Sequence, residues 1–109
     1  MKIYKPSFTP EFLSQAKKYR HFKKIMANKL ALLCSDPYTT CKSEMLVGEL
    51  KGLRSARLTK SFRIIFAICE ECRARKTQSL VGCQAEICAA METETIVFLT
   101  VGPHEDAYS

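Results

Sequence analysis

Residues 93–101 read TETIVFLTV, a β-branched and nearly continuous apolar run closed by Gly102-Pro103. A strand with apolar side chains on both faces is covered on both sides, so this segment is expected at the centre of a sheet. Residues 62–69, FRIIFAIC, form the clearest other strand. Shorter strands are expected at 2–8, where Pro6 restricts the segment to an edge, within 45–53, and at 55–59. Between the first strand and the rest lie two helical patterns. Thr9-Pro10-Glu11 is a helix start, with a capping hydroxyl, a proline at the first helical position and an acid at the positive dipole end. That helix runs to about Lys18. A second runs from about Arg20 to Cys34, with Phe22, Ile25, Met26, Leu30 and Leu33 as its core stripe, and Ser35-Asp36-Pro37 stops it. The order β-α-α-β-β-β predicts an α+β fold, two helices packed on an antiparallel sheet. With 109 residues, the chain is expected to form a single domain, 1–109.

Composition narrows the function classes. Apolar residues make up 47% and charged residues 26%, which is ordinary for a globular protein and excludes a disordered chain. No apolar run approaches the roughly 20 residues that span a bilayer. The opening MKIYKP lacks the apolar core of a signal peptide, so a soluble, cytoplasmic protein with no membrane partner is expected. The net charge is +6 and unevenly spread. Residues 1–34 carry eight cations and one acid, residues 35–68 six cations and three acids, and residues 69–109 three cations and seven acids. A basic front two-thirds suits nucleic acid or an acidic protein partner; a solvated lysine-rich helix face accounts for it equally well.

The thirteen residues from Lys51 to Arg63, KGLRSARLTKSFR, hold five cations and no acid. If Thr59-Lys60-Ser61 is a hairpin turn, Arg57 stands opposite Arg63. Alternation then sends Leu58, Phe62, Ile64, Phe66 and Ile68 to the core face and both arginines to the other. Directly opposed like charges destabilise a sheet by a few tenths to about 1 kcal/mol. A chain that accepts this is often building a site. Two guanidinium forks on an open sheet face match phosphate oxygens bidentately. The competing reading pairs one arginine with a carboxylate such as Glu49 and leaves the other solvated. His21 lies in the lysine-rich helix and reads as a surface residue. His104 follows the last strand directly, and Tyr108 comes four residues later. An imidazole there can move a proton and a phenol can stack on a base; a frayed tail is the plainer alternative.

The segments LKGLRSARLTKSFRIIFAI (50–68) and ETIVFLTVGPHEDAY (94–108) resemble the RelE/ParE superfamily of type II toxin–antitoxin toxins, in its RelE-like branch. The shared features are an L-K-G element, a basic strand, an arginine-led apolar strand, and a last strand ending in Gly-x-His before an aromatic. The resemblance implies a small endoribonuclease, an mRNA interferase, that cuts messenger RNA on the ribosome without a catalytic cofactor. The RNA 2′-hydroxyl attacks the adjacent phosphate, giving a 2′,3′-cyclic phosphate and a free 5′-hydroxyl. On this resemblance Arg63 stabilises the charged phosphorane, Arg57 is a second basic group, His104 transfers a proton and Tyr108 positions the nucleotide. The proton acceptor is left between Glu49 and His104. Lys51, Arg54 and Lys60 are the accompanying RNA-binding cations. An antitoxin protein is the implied partner, beside the ribosome and mRNA. Two other readings stand: a ParE-like, gyrase-poisoning toxin or inactive relative that only binds its partner, and a small zinc-containing RNA-binding domain.

Residues 69–92 form a Cys-rich insertion where relatives have a tight turn. Cys69, Cys72, Cys83 and Cys88 follow the spacing C-x2-C-x10-C-x4-C, which resembles a zinc knuckle. Paired thiolates suit tetrahedral zinc, and an insertion with this little apolar content needs a staple. A structural zinc is therefore expected; a disulfide, a redox role and free thiols are the alternatives.

Overall fold

The computed structural model describes residues 3–46, 52–75 and 94–103. Among them the elements run β1 (Lys5–Phe8), α1 (Pro10–Lys18), α2 (Lys23–Ser35), β2 (Glu44–Met45), β3 (Arg54–Arg57), β4 (Phe62–Ile68), α3 (Cys69–Arg75) and β5 (Thr95–Pro103). Short 3₁₀ turns at Arg20–Phe22 and Thr40–Lys42 precede α2 and β2. The architecture is α+β, with one five-stranded sheet ordered β1-β5-β4-β3-β2. β5 sits inside the sheet and β1 at its edge, as the residue patterns predict.

Three expectations need correction. The sheet is mixed, because β1 runs parallel to β5, Lys5 opposite Thr95 through Phe8 opposite Phe98. Alternation along a strand determines its faces but carries nothing about the direction of its neighbour. The insertion opens as a helix, α3, so β4 passes straight into helical backbone at Cys69. Ile25 leaves the core stripe and is 43% exposed, while Met26 and Leu33 are buried. The 3₁₀ turn before α2 rotates the helix relative to the stripe counted from Phe22.

Helix α1 begins as expected. Thr9 is the cap, and its Oγ1 accepts from the Phe12 N–H at 3.0 Å with Pro10 in the first turn. The same hydroxyl donates to the Leu99 carbonyl at 2.8 Å, which ties the helix start to β5. Further along, Gln15 Oε1 accepts from Thr100 Oγ1 at 2.6 Å and from the Val101 N–H at 2.8 Å. Past the end of β1, α1 thus closes the open edge of β5 with side-chain bonds in place of a strand. At the end of α2, Asp36 accepts from the Tyr38 and Thr39 N–H groups and from the Thr39 hydroxyl. The Thr39 bond chiefly, with the backbone bonds, holds its carboxyl below the usual range.

The helices cover one face of the sheet. Phe12, Met26 and Leu33 meet Leu58, Ile64, Phe66, Ile68, Ile96, Phe98 and Val101 there. The opposite face carries a smaller cluster of Leu46, Leu53, Ile65 and Ala67, with Leu99 against it. β4 is therefore buried on both faces over most of its length. A register shift between Ile65 and Phe66 makes room for Leu99 in β5.

Candidate functional site

β3 and β4 pair with Arg54 opposite Phe66, Ser55 opposite Ile65, Ala56 opposite Ile64, and Arg57 opposite Arg63. Leu58 N–H donates to the Phe62 carbonyl at 2.9 Å, making 58/62 a hydrogen-bonded pair. The next pair, Arg57 and Arg63, is then of the non-hydrogen-bonded kind, in which Cα atoms approach to about 4.5 Å. Ala56 and Ile64 point into the helix-side core. The two arginines leave from the other face, beside the cluster around Leu53 and Ile65. Lys60 is exposed at the turn between the strands.

Neither guanidinium has a carboxylate partner among the described residues. The Nε atoms of both Arg57 and Arg63 are buried and have no hydrogen-bond acceptor. Two buried, charged donors without acceptors, on directly opposed positions, are costly to a folded chain. They are suited to an anion whose oxygens accept from both. The neighbouring strand leaves room for one. Gly102 of β5 stands opposite Arg63. A Cβ built on it would meet nothing closer than Tyr19, whose Oη would lie at 3.9 Å and Cε2 at 4.0 Å. Tyr19 is held edge-on against Phe62, with ring centroids 5.0 Å apart, and Lys18 Nζ lies 5.4 Å over its ring. The sequence offered no local sign of Tyr19, which lies 38 residues from Arg57 and 44 from Arg63.

Arg54 does not stand beside this pair. It shares the helix-side face with Phe66. Its Nε lies 3.1 Å from Glu71 Oε1, its Nη2 3.2 Å from Oε2, and its Nη1 3.3 Å from Ser43 Oγ. The guanidinium also stacks 4.9 Å over the Tyr38 ring. Next to it, Glu70 Oε1 accepts from the hydroxyls of Tyr4 at 2.6 Å and Tyr38 at 2.8 Å. Burial first, and then the Glu70 carboxylate, push the Tyr4 phenol up to about 12 and the Tyr38 phenol higher still. This network roots α3 to Tyr4 just before β1, to β3 and to the segment after α2. Its members are far apart in sequence, and no spacing announces them.

Of the remaining sequence-derived residues, Glu49, Lys51, His104, Tyr108, Cys83 and Cys88 lie outside the described residues. Cys69 and Cys72 are both buried, one helical turn apart at the start of α3. Such spacing places two thiols on one side of a helix, as half of a four-cysteine set requires. Among the described residues no group of three or more His, Cys, Asp or Glu could hold a metal ion. The L-K-G element has a physical reason at its glycine. Gly52 has φ of 113°, in the left-handed region, and its N–H lies 3.3 Å from Met45 Sδ.

The YoeB/ParE toxin from Agrobacterium tumefaciens superposes with a TM-score of 0.65 at 12% identity, covering 92% of this chain and 98% of that one. YafQ from E. coli gives 0.63 at 12% identity, covering 97% and 99%. The toxin–antitoxin complex RelBE2 from Mycobacterium tuberculosis gives 0.59 at 20% identity, covering 94% and 99%. No protein-family model matches the sequence. No curated protein matches it either. What these superpositions define is a fold, a small α+β domain. The chain has the fold of the RelE/ParE toxin superfamily over nearly its whole length.

Proposed function

We propose that this chain is the toxin of a toxin–antitoxin pair and that it cleaves messenger RNA on the ribosome. The observation that carries the reading is the opposed Arg57/Arg63 pair with both Nε donors unsatisfied. The superposed toxins support the fold-level part, and the L-K-G and Gly-x-His motifs support the RelE-like branch. In the proposed reaction a 2′-oxygen loses its proton to a base and attacks the adjacent phosphorus. The bond from phosphorus to the 5′-oxygen breaks, and that oxygen takes up a proton. The products are a 2′,3′-cyclic phosphate and a 5′-hydroxyl. Arg57 and Arg63 hold the non-bridging oxygens, whose charge grows in the phosphorane, so their contacts strengthen as the barrier is crossed. Glu49 or His104 serves as base, His104 as proton donor and Tyr108 as stacking platform. Lys51 and Lys60 attract the RNA backbone.

The antitoxin has a surface of matching chemistry. Leu13, Ala16, Met26, Ala27 and Leu30 line a groove of about 610 Å³ between α1 and α2, flanked by Lys17, Arg20 and Lys23. Leu13 is 52% exposed there. From Phe12 to Ser35 the chain has no acidic residue. An apolar floor with a cationic rim suits an amphipathic segment with acidic flanks.

The test is to induce the chain alone and map messenger RNA ends. Codon-phased cuts, abolished by Arg63→Ala, are expected; removing one such charge-stabilising donor lowers a rate by about 10²–10³-fold. A folded Arg63→Ala protein that cuts at the parent rate, or DNA damage without cuts, would overturn the reading. DNA damage would favour the gyrase-poisoning alternative.

A further inference from the structure

We propose that Tyr19 is a third donor of the phosphate site, its hydroxyl bonding to the same anion that Arg57 and Arg63 hold. This rests on the proposed phosphate site and adds to it a residue from a different part of the chain. Cross-strand partners present their side chains on one face, so a side chain at Gly102 would stand beside Arg63. That place is empty because residue 102 is glycine, and the nearest atoms around it are the hydroxyl and ring edge of Tyr19, 3.9 and 4.0 Å away. Cross-strand Cβ positions are about 5 Å apart. The Tyr19 hydroxyl therefore falls within the arc that a guanidinium sweeps from Arg63 on its long stem.

The placement is built, not incidental. Gln15, one helical turn before Tyr19, locks α1 to β5 through Thr100 and Val101. The Tyr19 N–H closes on the Gln15 carbonyl at 2.9 Å. Phe62, adjacent to Arg63 in β4, supports the ring edge-on, and Phe22 packs on the same Phe62. The ring is thus fixed by packing, while its hydroxyl has no partner among the described residues. Arg57 Nε and Arg63 Nε lack acceptors, and the Tyr19 hydroxyl, also without a partner among the described residues, borders the place left open at Gly102 opposite Arg63. A tetrahedral anion has oxygens enough to accept from all three groups at once. A neutral phenol adds a hydrogen bond without adding a third cation to a pair that already repels.

Tyr19→Phe tests this, because it keeps the ring on Phe62 and removes only the hydroxyl. Inorganic phosphate is titrated into the full-length chain by calorimetry at low salt, well below the melting temperature. The parent should bind, and Tyr19→Phe should bind about tenfold more weakly, as expected for a lost hydrogen bond to a charged group. Its melting temperature without phosphate should stay within a degree or two of the parent's. Tyr38→Phe, a tyrosine on the Glu70 network, should bind phosphate as the parent does. Single-turnover cleavage by Tyr19→Phe should slow at saturating ribosomes. Parent-like phosphate binding by Tyr19→Phe, with Arg63→Gln binding abolished, would overturn the role of Tyr19 alone. Parent-like binding by Arg63→Gln would overturn the phosphate site itself, and the proposed function with it.

Discussion

Replacing Arg63 with methionine should make the protein more stable and leave it without cleavage activity. The magnitude follows from the geometry around the pair. Arg57 and Arg63 are directly opposed in the closer kind of antiparallel pair, and removing one cation relieves about 0.2–1 kcal/mol of repulsion. Each Nε is buried without an acceptor, and an unsatisfied buried donor costs roughly 1–3 kcal/mol. Methionine keeps an unbranched apolar stem of comparable length, so the packing of that stem beside Ile65 is largely preserved. After allowing for imperfect packing, a net stabilisation of about 1–2 kcal/mol is expected. For a chain of this size that raises the melting temperature by several degrees, and the urea midpoint by about 1 M at a slope near 1.5 kcal/mol/M. The assay is urea unfolding of parent, Arg63→Met, Arg57→Met and the double variant. It is run at about 0.01 M and about 1 M salt, between which the screening length falls from roughly 30 to 3 Å. The gain should shrink at high salt, and the two single gains should not add, because each already removes the repulsion. A destabilisation of 1 kcal/mol or more in Arg63→Met at low salt would refute the reasoning. The guanidinium would then be making favourable contacts, and the pair would be an ordinary part of the fold.

The remaining predictions concern the scaffold. Thr9→Ala should destabilise by about 1–2 kcal/mol in denaturant, since the same hydroxyl caps α1 and bonds the Leu99 carbonyl; Thr9→Ser should restore most of it. In an alkaline absorbance titration, two of the four tyrosines, Tyr4 and Tyr38, should ionise only well above the ordinary value near 10. Their folded values are raised, so the stability they contribute is present below pH 10 and is lost as pH climbs through about 12. Glu70→Gln should bring both phenols part of the way down, leaving the share that burial imposes. The spacing of Cys69, Cys72, Cys83 and Cys88 predicts one zinc per chain by elemental analysis of protein purified under reducing conditions. Chelation should lower the melting temperature without slowing cleavage by the folded fraction; metal content near zero would leave the cysteines as thiols or disulfides.

What could be read from the residues was what is encoded locally. The start of α1 depends on Thr9, Pro10 and Glu11, three consecutive residues, and it lies where they indicate. The β3–β4 register depends on a turn centred on Lys60 and on alternation over five positions each way, and the structure has that register. The parallel partner of β5 was not legible. β1 is about ninety residues away and would present the same alternation in either direction. Nor was the second apolar cluster, because Ile65 and Ala67 share the arginines' face by alternation, and nothing local shows that Leu46, Leu53 and Leu99 partly cover that face. Arg54 illustrates the limit of counting charge. It lies three residues before Arg57, in the same basic run, yet the pleat turns it to the other face, where Glu71 neutralises it.

The same contrast explains why the arginine pair stands out. A cation in a basic run usually finds a carboxylate or water, as Arg54 finds Glu71 and the exposed Lys60 finds solvent. Arg57 and Arg63 are placed where they have neither at Nε, because the strand pairing that buries Leu58, Ile64 and Phe66 on the helix side fixes where the arginines project. Shifting the register by one residue would separate them, but it would also turn the whole apolar set outward. The core thus enforces a juxtaposition that the arginines alone would avoid. Repulsion of a few tenths to about 1 kcal/mol is small beside the burial of three large apolar side chains, each contributing about 1.5–3 kcal/mol. A binding site held in place by the core in this way needs no reorganisation when an anion arrives. On the proposed function the two buried Nε donors are already assembled, and that preorganisation is what a developing phosphorane charge would require.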